Sequence, residues 1–232
     1  MDRLTKIFNC IKPSTAVADI GCDHGNLEAM LIRQNRADKV IATDISEKSL
    51  AKAVALCRTL GIVDRVGFRL GDGLSVLCPG EADTIVIAGM GGILISNILK
   101  NNMETARTAE LVLCPHSHEG KLRKFLFLNG YQISNECLAL EDGRYYQIIC
   151  AAYIEKSECP KDDFYYEISA KLLEGGDEHL VGFLEYKLRI TRGIIQDAEK
   201  SRRKKAQKIV LELSRFAERL EECIDACKHE TN

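Results

Sequence analysis

The sequence of 232 residues contains no tryptophan, only five histidines and no long apolar run. No stretch reaches the roughly 18 consecutive apolar residues that a membrane-spanning helix needs, so we expect no membrane partner. The formal net charge is −2, so any affinity for nucleic acid must come from local basic patches. Met1 is not followed by a basic segment and an apolar run, which predicts a cytoplasmic protein without a signal peptide.

The ten cysteines contain no Cys-x-x-Cys pair, and histidine is scarce near them. Zinc sites normally show closely spaced ligand pairs, so we predict that the protein binds no metal. Free thiols in a chain without an export signal are typical of a reducing compartment.

Short apolar runs alternate with helical patterns over the first two thirds of the chain. Strands are predicted at about 16–20, 39–44, 66–70, 83–88, 111–114, 131–140 and 145–153. The last two strands flank Glu141-Asp142-Gly143-Arg144, which is a hairpin signal. The fold class is therefore α/β, with a seven-stranded, mostly parallel sheet that has one antiparallel edge. This is the layout of a class I Rossmann-like methyltransferase.

The apolar periodicity stops at 156–161 and a different pattern follows. Two series of mostly apolar residues, each at helical spacing, form stripes that predict an antiparallel, coiled-coil-like helical hairpin. Its N-cap would be Asp177, and its turn would lie near Ser201. We therefore expect two domains, 1–155 and 164–232. The stripes are Leu180, Leu184, Leu188, Thr191, Ile194 and Ala198, then Ala206, Ile209, Leu213, Phe216, Leu220, Cys223 and Cys227.

The segment from Val17 to Leu27 reads as a buried strand, a glycine turn and the start of a helix, with the spacing D-x-G-x-x-x-G-x-L. Such a unit binds nucleotides at the end of a parallel sheet. The dinucleotide fingerprint needs glycines where Asp23 and Asn26 stand. An acidic residue suits ammonium and hydroxyl groups better than pyrophosphate, so the predicted cofactor is S-adenosyl-L-methionine and not NAD. Asp19 or Asp23 would face the ammonium and the turn amides the carboxylate; the alternative is an aspartate that only caps the helix.

Three later strand ends carry residues that fit the same cofactor. Asp44, 25 residues after Asp19, is placed to accept both ribose hydroxyls, and Asp72 to accept from the adenine amino group. The glycines of Gly89–Gly92 lack side chains, which would allow a ligand to approach the backbone closely. The alternatives are a solvent-facing loop residue for Asp44, a plain turn around Asp72 and tight strand–helix packing at the glycines.

The C-terminal half carries a basic segment, with nine Lys and Arg residues against two acids in 187–208. Its basic end would suit RNA phosphates, although a solvated charged face is an equal alternative. Lys121, Arg123 and Lys124 would extend the patch. The tyrosines after the hairpin signal offer a stacking surface for a base, or form only a hairpin.

Taken together, these residues resemble the bacterial tRNA (adenine-22-N1)-methyltransferase family, the TrmK group. The resemblance covers nearly all of the chain and is carried by 17–24, 69–74, 87–92, 122–126 and 141–146, together with the helical hairpin. It implies methyl transfer from S-adenosylmethionine to N1 of adenine 22 in tRNA. Two positions differ from the family: Asn26 replaces a tyrosine, and Cys114-Pro115-His116 replaces Gln-Pro-Asn.

The predicted site follows from the motifs and the resemblance together. The predicted cofactor-binding residues are Asp19, Gly21, Asp23, His24, Gly25, Asp44, Ile45, Ser46, Asp72, Gly73, Ala88, Gly89, Met90 and Gly91. Asp23 and Asp72 are the catalytic candidates. The substrate-binding candidates are Asn26, Gly92, His116, Arg123, Tyr145, Tyr146, Arg202, Arg203 and Lys204.

Domain 1–155 is then the methyltransferase domain and 164–232 the tRNA-binding hairpin of a monomeric enzyme. Two other functions stay open at this point. One is a methyltransferase for a small molecule or a protein, with the hairpin as a dimerisation arm. The other is a catalytically silent protein of the same fold that binds cofactor or RNA.

Overall fold

The computed structural model describes residues 2–200 and 204–230, and in these residues seven strands form one sheet. The strands are β1 (Ser14–Ile20), β2 (Ala37–Asp44), β3 (Val66–Leu70), β4 (Thr84–Ala88), β5 (Glu110–Cys114), β6 (Tyr131–Glu141) and β7 (Arg144–Tyr153). The helices are α1 (Arg3–Cys10), α2 (Asn26–Arg33), α3 (Glu47–Thr59), α4 (Gly92–Asn101), α5 (Met103–Ala106), α6 (Glu119–Leu128), α7 (Phe164–Glu167), α8 (Ala170–Glu174), α9 (Leu180–Glu199) and α10 (Lys204–Glu230). A 3-10 turn, Val63–Arg65, precedes β3.

The strand order is β3-β2-β1-β4-β5-β7-β6, with β1 at the centre. β1 to β5 pair in parallel, while β7 is antiparallel to both of its neighbours. Asp142 and Gly143, between β6 and β7, both have positive φ, as the tight hairpin turn requires. The predicted class I methyltransferase layout is therefore confirmed.

The core lies on both faces of the sheet, which explains the nearly continuous apolar run of β4. Ile85 and Ile87 pack into one core cluster, and Val86 packs into the cluster on the opposite face. A strand that is covered by helices on both sides has no solvent-facing positions, so the usual polar alternation is absent.

The chain divides into two compact units, residues 1–171 and 172–232. The boundary lies later than expected from sequence, because α7 belongs to the first unit. The carbonyl of Tyr166 in α7 accepts a hydrogen bond of 2.9 Å from the Arg123 guanidinium of α6.

In the second unit, α9 and α10 pack as an antiparallel pair. Arg192 pairs with Glu221 at 2.6 Å and Lys228 with Glu185 at 2.8 Å. Leu184 and Leu188 of the first predicted stripe and Leu220 of the second are buried. The residue before the first turn of α9 is His179, and Asp177 accepts from its backbone N–H at 2.9 Å. The predicted turn at Ser201 lies outside the described residues, and no described helix is long and apolar enough to cross a membrane.

Candidate cofactor and active site

A cavity of about 660 Å³ lies at the carboxyl ends of β1, β2 and β4 in the first unit. Loops that follow parallel strands meet at this edge of the sheet, which is where α/β folds bind ligands. Twelve of the predicted residues line the cavity: Asp19, Gly21, Asp23, His24, Asn26, Asp44, Ile45, Asp72, Gly73, Ala88, Gly89 and Met90.

Four aspartates give the cavity an acidic wall: Asp19, Asp23, Asp44 and Asp72. Asp19 is buried, while Asp23 and Asp72 are exposed at the mouth. Burial, together with the neighbouring charge of Asp44, raises the pKa of Asp19 to about 7. Such a wall favours a ligand that brings positive charge and hydroxyl groups, and it disfavours pyrophosphate.

The raised pKa of Asp19 predicts how stability changes with pH. Between the ordinary pKa of 3.8 and about 7, folded Asp19 keeps a proton that the unfolded chain has lost. Its contribution to the free energy of unfolding is therefore complete below pH 4 and falls by about 1 kcal/mol per pH unit as the pH rises to 7. Urea unfolding of the wild type and Asp19→Asn at several pH values should show this slope in the difference curve. If the difference in unfolding free energy does not change with pH, the raised pKa of Asp19 is contradicted.

The turn after β1 is held by its own backbone hydrogen bonds. Gly21 has φ +83° and donates to the Thr43 carbonyl at 2.8 Å, and Cys22 donates to the same oxygen at 3.0 Å. Gly25 donates to the Cys22 carbonyl at 3.0 Å. The prediction that these turn amides meet a ligand carboxylate is wrong for the three of them, since each is already engaged.

Gly25 itself does not line the cavity, and its role is packing. It has φ +80°, and a Cβ there would lie 2.9 Å from the Ala53 Cα of α3. Glycine is therefore needed both for the backbone conformation and for the close approach of α2 and α3.

Replacement of Gly25 by alanine should lower the free energy of unfolding in two separable parts. Gly61 is the matched control, since it has φ +68° but nothing within 4 Å of its Cβ position. We expect Gly61→Ala to lose about 1 kcal/mol of unfolding free energy through backbone strain. Gly25→Ala should lose about 2 kcal/mol more through overpacking. Urea unfolding measures both, and equal losses would contradict the packing role.

Asp44 is positioned by two backbone donors at the end of β2. Its Oδ1 accepts from the Ser46 N–H at 2.8 Å, and its Oδ2 accepts from the Asp23 N–H at 3.3 Å. Ser46 does not line the cavity, and its hydroxyl caps α3 by accepting from the Ser49 N–H at 3.2 Å. The carboxylate of Asp44 is thus oriented before any ligand binds.

The glycines that follow β4 have two different roles. Gly89, with φ +75°, lines the cavity and has nothing within 4 Å of its Cβ position. Gly91 and Gly92 do not line it, and a Cβ on Gly92 would lie 2.5 Å from the His118 carbonyl oxygen. The predicted substrate role of Gly92 is therefore replaced by tight packing of α4 against the loop before α6.

Met90 and Gly21 meet across the floor of the cavity. A Cβ on Gly21 would lie 2.6 Å from the Met90 Cε. The lack of a side chain at Gly21 therefore lets the methionine reach over the turn.

A short polar chain runs along the cavity mouth. The Asp23 carboxylate lies 2.6 Å from His24 Nδ1, and Lys52 Nζ lies 3.1 Å from His24 Nε2. His24 thus links the predicted catalytic carboxylate of Asp23 to a cation on α3.

Sequence reasoning missed the contribution of α1, which lines the cavity with Arg3, Leu4 and Ile7. The Arg3 guanidinium lies 4.9 Å from the centre of the Tyr146 ring and 3.7 Å from a Glu141 carboxylate oxygen. Tyr146 does not line the cavity, and Arg3 covers one face of its ring, so that face is not open for stacking a base.

Arg123 was predicted to touch the substrate, and the structure corrects this. Its side chain is fully buried and pairs with Glu136 at 2.9 Å. The guanidinium also donates to Gln147 Oε1 at 2.6 Å and to the Tyr166 carbonyl. Arg123 holds α6, β6, β7 and α7 together and is not part of an exposed basic patch.

The other predicted substrate residues lie apart from the cavity or cannot be placed. His116 is exposed and Tyr145 half-buried, and neither lines the cavity. Arg202 and Arg203 lie outside the described residues; Lys204 begins α10, and its side chain is likewise outside the description.

The comparisons with known proteins agree with this geometry. A methyltransferase-domain model matches residues 1–149. Over 150 residues the chain is 34% identical to the tRNA (adenine(22)-N(1))-methyltransferase of Bacillus subtilis, which covers 64% of this chain and 63% of that protein. The chain belongs to the TrmK family of methyltransferases.

Solved structures of the TrmK family extend the likeness beyond the matched domain. The chain superposes on the B. subtilis m1A22 tRNA methyltransferase TrmK with a TM-score of 0.80 and 28% identity, over 96% of this chain and 97% of that chain. The fold is also that of Streptococcus pneumoniae Sp1610 in complex with S-adenosyl-L-methionine, with a TM-score of 0.83 and 21% identity. This second match covers 97% of this chain and 100% of that chain.

Proposed function

We propose that this protein is an S-adenosylmethionine-dependent methyltransferase that methylates N1 of adenine 22 in tRNA. The observation that carries the proposal is the acidic, glycine-bordered cavity at the carboxyl ends of β1, β2 and β4. The substrate comes from the family, because the B. subtilis relative is named for this reaction. The sequence alignment spans 63% of that relative's length, so the activity of the whole chain belongs to the proposal.

The residues of the cavity fit the cofactor group by group. Asp44, already oriented by two backbone donors, accepts hydrogen bonds from the ribose hydroxyls. Asp19 faces the ammonium of the methionine part, which compensates its buried charge. Asp72 and Gly73 lie at the adenine, and the exposed side chain of Ile45 covers the face of that ring. When bound, S-adenosylmethionine supplies a methyl group on a positively charged sulfur.

The chain's part in the reaction is to orient the acceptor and to stabilise charge. Neutral adenine N1 has a lone pair, so holding it in line with the methyl group supplies most of the catalysis. Methylation at N1 makes the base cationic, and Asp23 or Asp72 at the cavity mouth stabilises that charge or takes a proton from N6. Asn26 lines the cavity beside them and contacts the target base.

The tRNA body binds to basic side chains outside the cavity. In the second unit, Arg189 is exposed on α9. Arg202, Arg203 and Lys204 of the same unit are kept from the sequence prediction as part of this surface. In the first unit, His116 and Tyr145 are kept separately as substrate-binding candidates. The proposed enzyme is a monomer and acts in the cytoplasm.

Incubation with labelled S-adenosylmethionine and unmodified tRNA, followed by nucleoside analysis, tests the proposal. We expect label in N1-methyladenosine. If the protein binds the cofactor but transfers no methyl group to tRNA, the proposed substrate is wrong. Transfer to a protein or a small molecule would favour the other acceptors.

Reversal of the charges at Arg202 and Lys204 tests the binding surface. We expect weaker tRNA binding and a shallower dependence on salt, while cofactor affinity stays unchanged. Unchanged tRNA binding would place the surface elsewhere.

A further inference from the structure

A second buried carboxyl lies behind the cavity wall and has no part in the function proposed so far. Glu28 stands in the first turn of α2, and its side chain is fully buried. Neither of its carboxyl oxygens has a hydrogen-bond partner of ordinary geometry among residues 2–200 and 204–230. A buried carboxyl without a donor or a cation is costly, so its presence needs a physical reason.

The group that Glu28 faces is the carboxyl of Asp19, which lines the cavity from the end of β1. The charge of Asp44, at the end of β2, acts on Asp19, and the pair in turn raises the pKa values of Cys22 in the turn and Cys57 of α3. All of these neighbours are acids or thiols, so none of them supplies a positive charge.

Two adjacent buried carboxyls cannot both ionise without a large cost, so such a pair shares a proton. Burial and the charge of Asp19 raise the pKa of Glu28 well above its ordinary value. The interaction with Glu28 lowers the pKa of Asp19, against the effect of burial. Glu28 has no exposed surface, whereas Asp19 keeps some exposure and lines the cavity, so a negative charge costs less on Asp19 and the proton resides on Glu28.

We propose that Glu28 is a positioning residue that stays protonated and donates a hydrogen bond to the Asp19 carboxylate, so that Asp19 presents one oriented negative charge to the ammonium of the cofactor. This inference rests on the proposed cofactor. It gives Glu28 a role that a hydrophobic residue of similar size cannot fill.

Cofactor affinity as a function of pH tests the role of Glu28. In the wild type, affinity rises with pH as Asp19 ionises. In Glu28→Leu, Asp19 loses its donor, so the midpoint of this rise should move up by about one pH unit and affinity at pH 7 should fall about fivefold. Glu28→Gln keeps a donor in its amide, and its midpoint should stay near the wild-type value. Calorimetric titration with S-adenosylmethionine between pH 6 and 9 measures all three.

Glu47→Leu is the matched control, because Glu47 is also an acid in the first turn of a helix but is exposed and lies outside the cavity. Its pH midpoint should not move. If Glu28→Leu leaves the midpoint unchanged while it changes only thermal stability, Glu28 is merely structural and the proposal is overturned.

Infrared spectroscopy of the protein without cofactor gives a second, independent readout. The wild type at pH 8 should show the absorption of a protonated carboxyl group, and Glu28→Gln should lack it. Absence of this band in the wild type overturns the proposal even where Glu28→Leu does not fold. A wild type that binds no S-adenosylmethionine at any pH refutes the proposed cofactor instead, and the infrared result still decides the protonation of Glu28.

Discussion

Asp44→Ala should weaken the binding of S-adenosylmethionine about 100-fold, which corresponds to about 2.7 kcal/mol. The variant loses the acceptor for the ribose hydroxyls. It also loses the carboxylate oxygens that hold the N–H groups of Asp23 and Ser46. Asp44→Asn keeps one acceptor oxygen and should lose about tenfold. Calorimetric titration gives the dissociation constants.

Asp38→Ala is the matched control for this experiment. Asp38 is exposed on the same strand, β2, at the end opposite the cavity. Its affinity should stay within about twofold of the wild type, as is usual for an exposed residue away from a binding site. If Asp44→Ala binds as tightly as Asp38→Ala, the cavity at the end of β2 is not the ribose site.

Glu136→Leu should lower the free energy of unfolding by about 3 to 5 kcal/mol, because it leaves the buried charge of Arg123 without its partner. The remaining acceptors of the guanidinium, Gln147 and the carbonyls of Tyr166 and Glu167, are neutral. Urea unfolding followed by circular dichroism measures the loss.

Two further variants show whether the loss of stability is specific to the buried Arg123–Glu136 pair or follows from breaking any ion pair. Glu110→Leu breaks the exposed pair with Lys12 and should cost less than about 1 kcal/mol. The double variant Arg123→Met/Glu136→Leu removes both charges and should recover most of the stability that Glu136→Leu loses. A loss for Glu136→Leu as small as that for Glu110→Leu would contradict the structural role given to Arg123.

The sheet and the cofactor wall could be predicted because their signals are local. Asp19, Asp44 and Asp72 follow their strands directly, and strand ends of a parallel sheet meet at one edge. Gly25 and Gly92 belong to the same motifs but serve packing. A glycine that contacts a ligand and a glycine that lets two helices approach have the same sequence signature.

Arg123 could not be assigned from its neighbours in sequence. Lys121 and Lys124 are exposed, whereas Arg123 lies next to the buried Leu122 on the core side of α6. Its partner Glu136 could not be predicted either, because β6 contains a bulge between Ile133 and Asn135. The bulge shifts the alternation by one residue, so that Glu136 points into the core where strict alternation would expose it.

The part played by α1 depends entirely on tertiary contacts. Arg3 contacts Glu141 and Tyr146, which are more than 130 residues away in the chain. Ile7 and Phe8 are buried against the sheet, and this docking brings Arg3 and Leu4 to the cavity. Leu4, Ile7, Phe8 and Ile11 make the start of the chain amphipathic, but this pattern does not indicate the surface on which a helix packs.

The central claim is tested most directly by the position of the transferred methyl group. The wild-type protein, S-adenosylmethionine and two tRNA transcripts are needed, one with adenine at position 22 and one with guanine there. We predict a primer-extension stop at position 22 and N1-methyladenosine in the first transcript only. Equal methylation of both transcripts, or none in either while the cofactor still binds, would contradict the account.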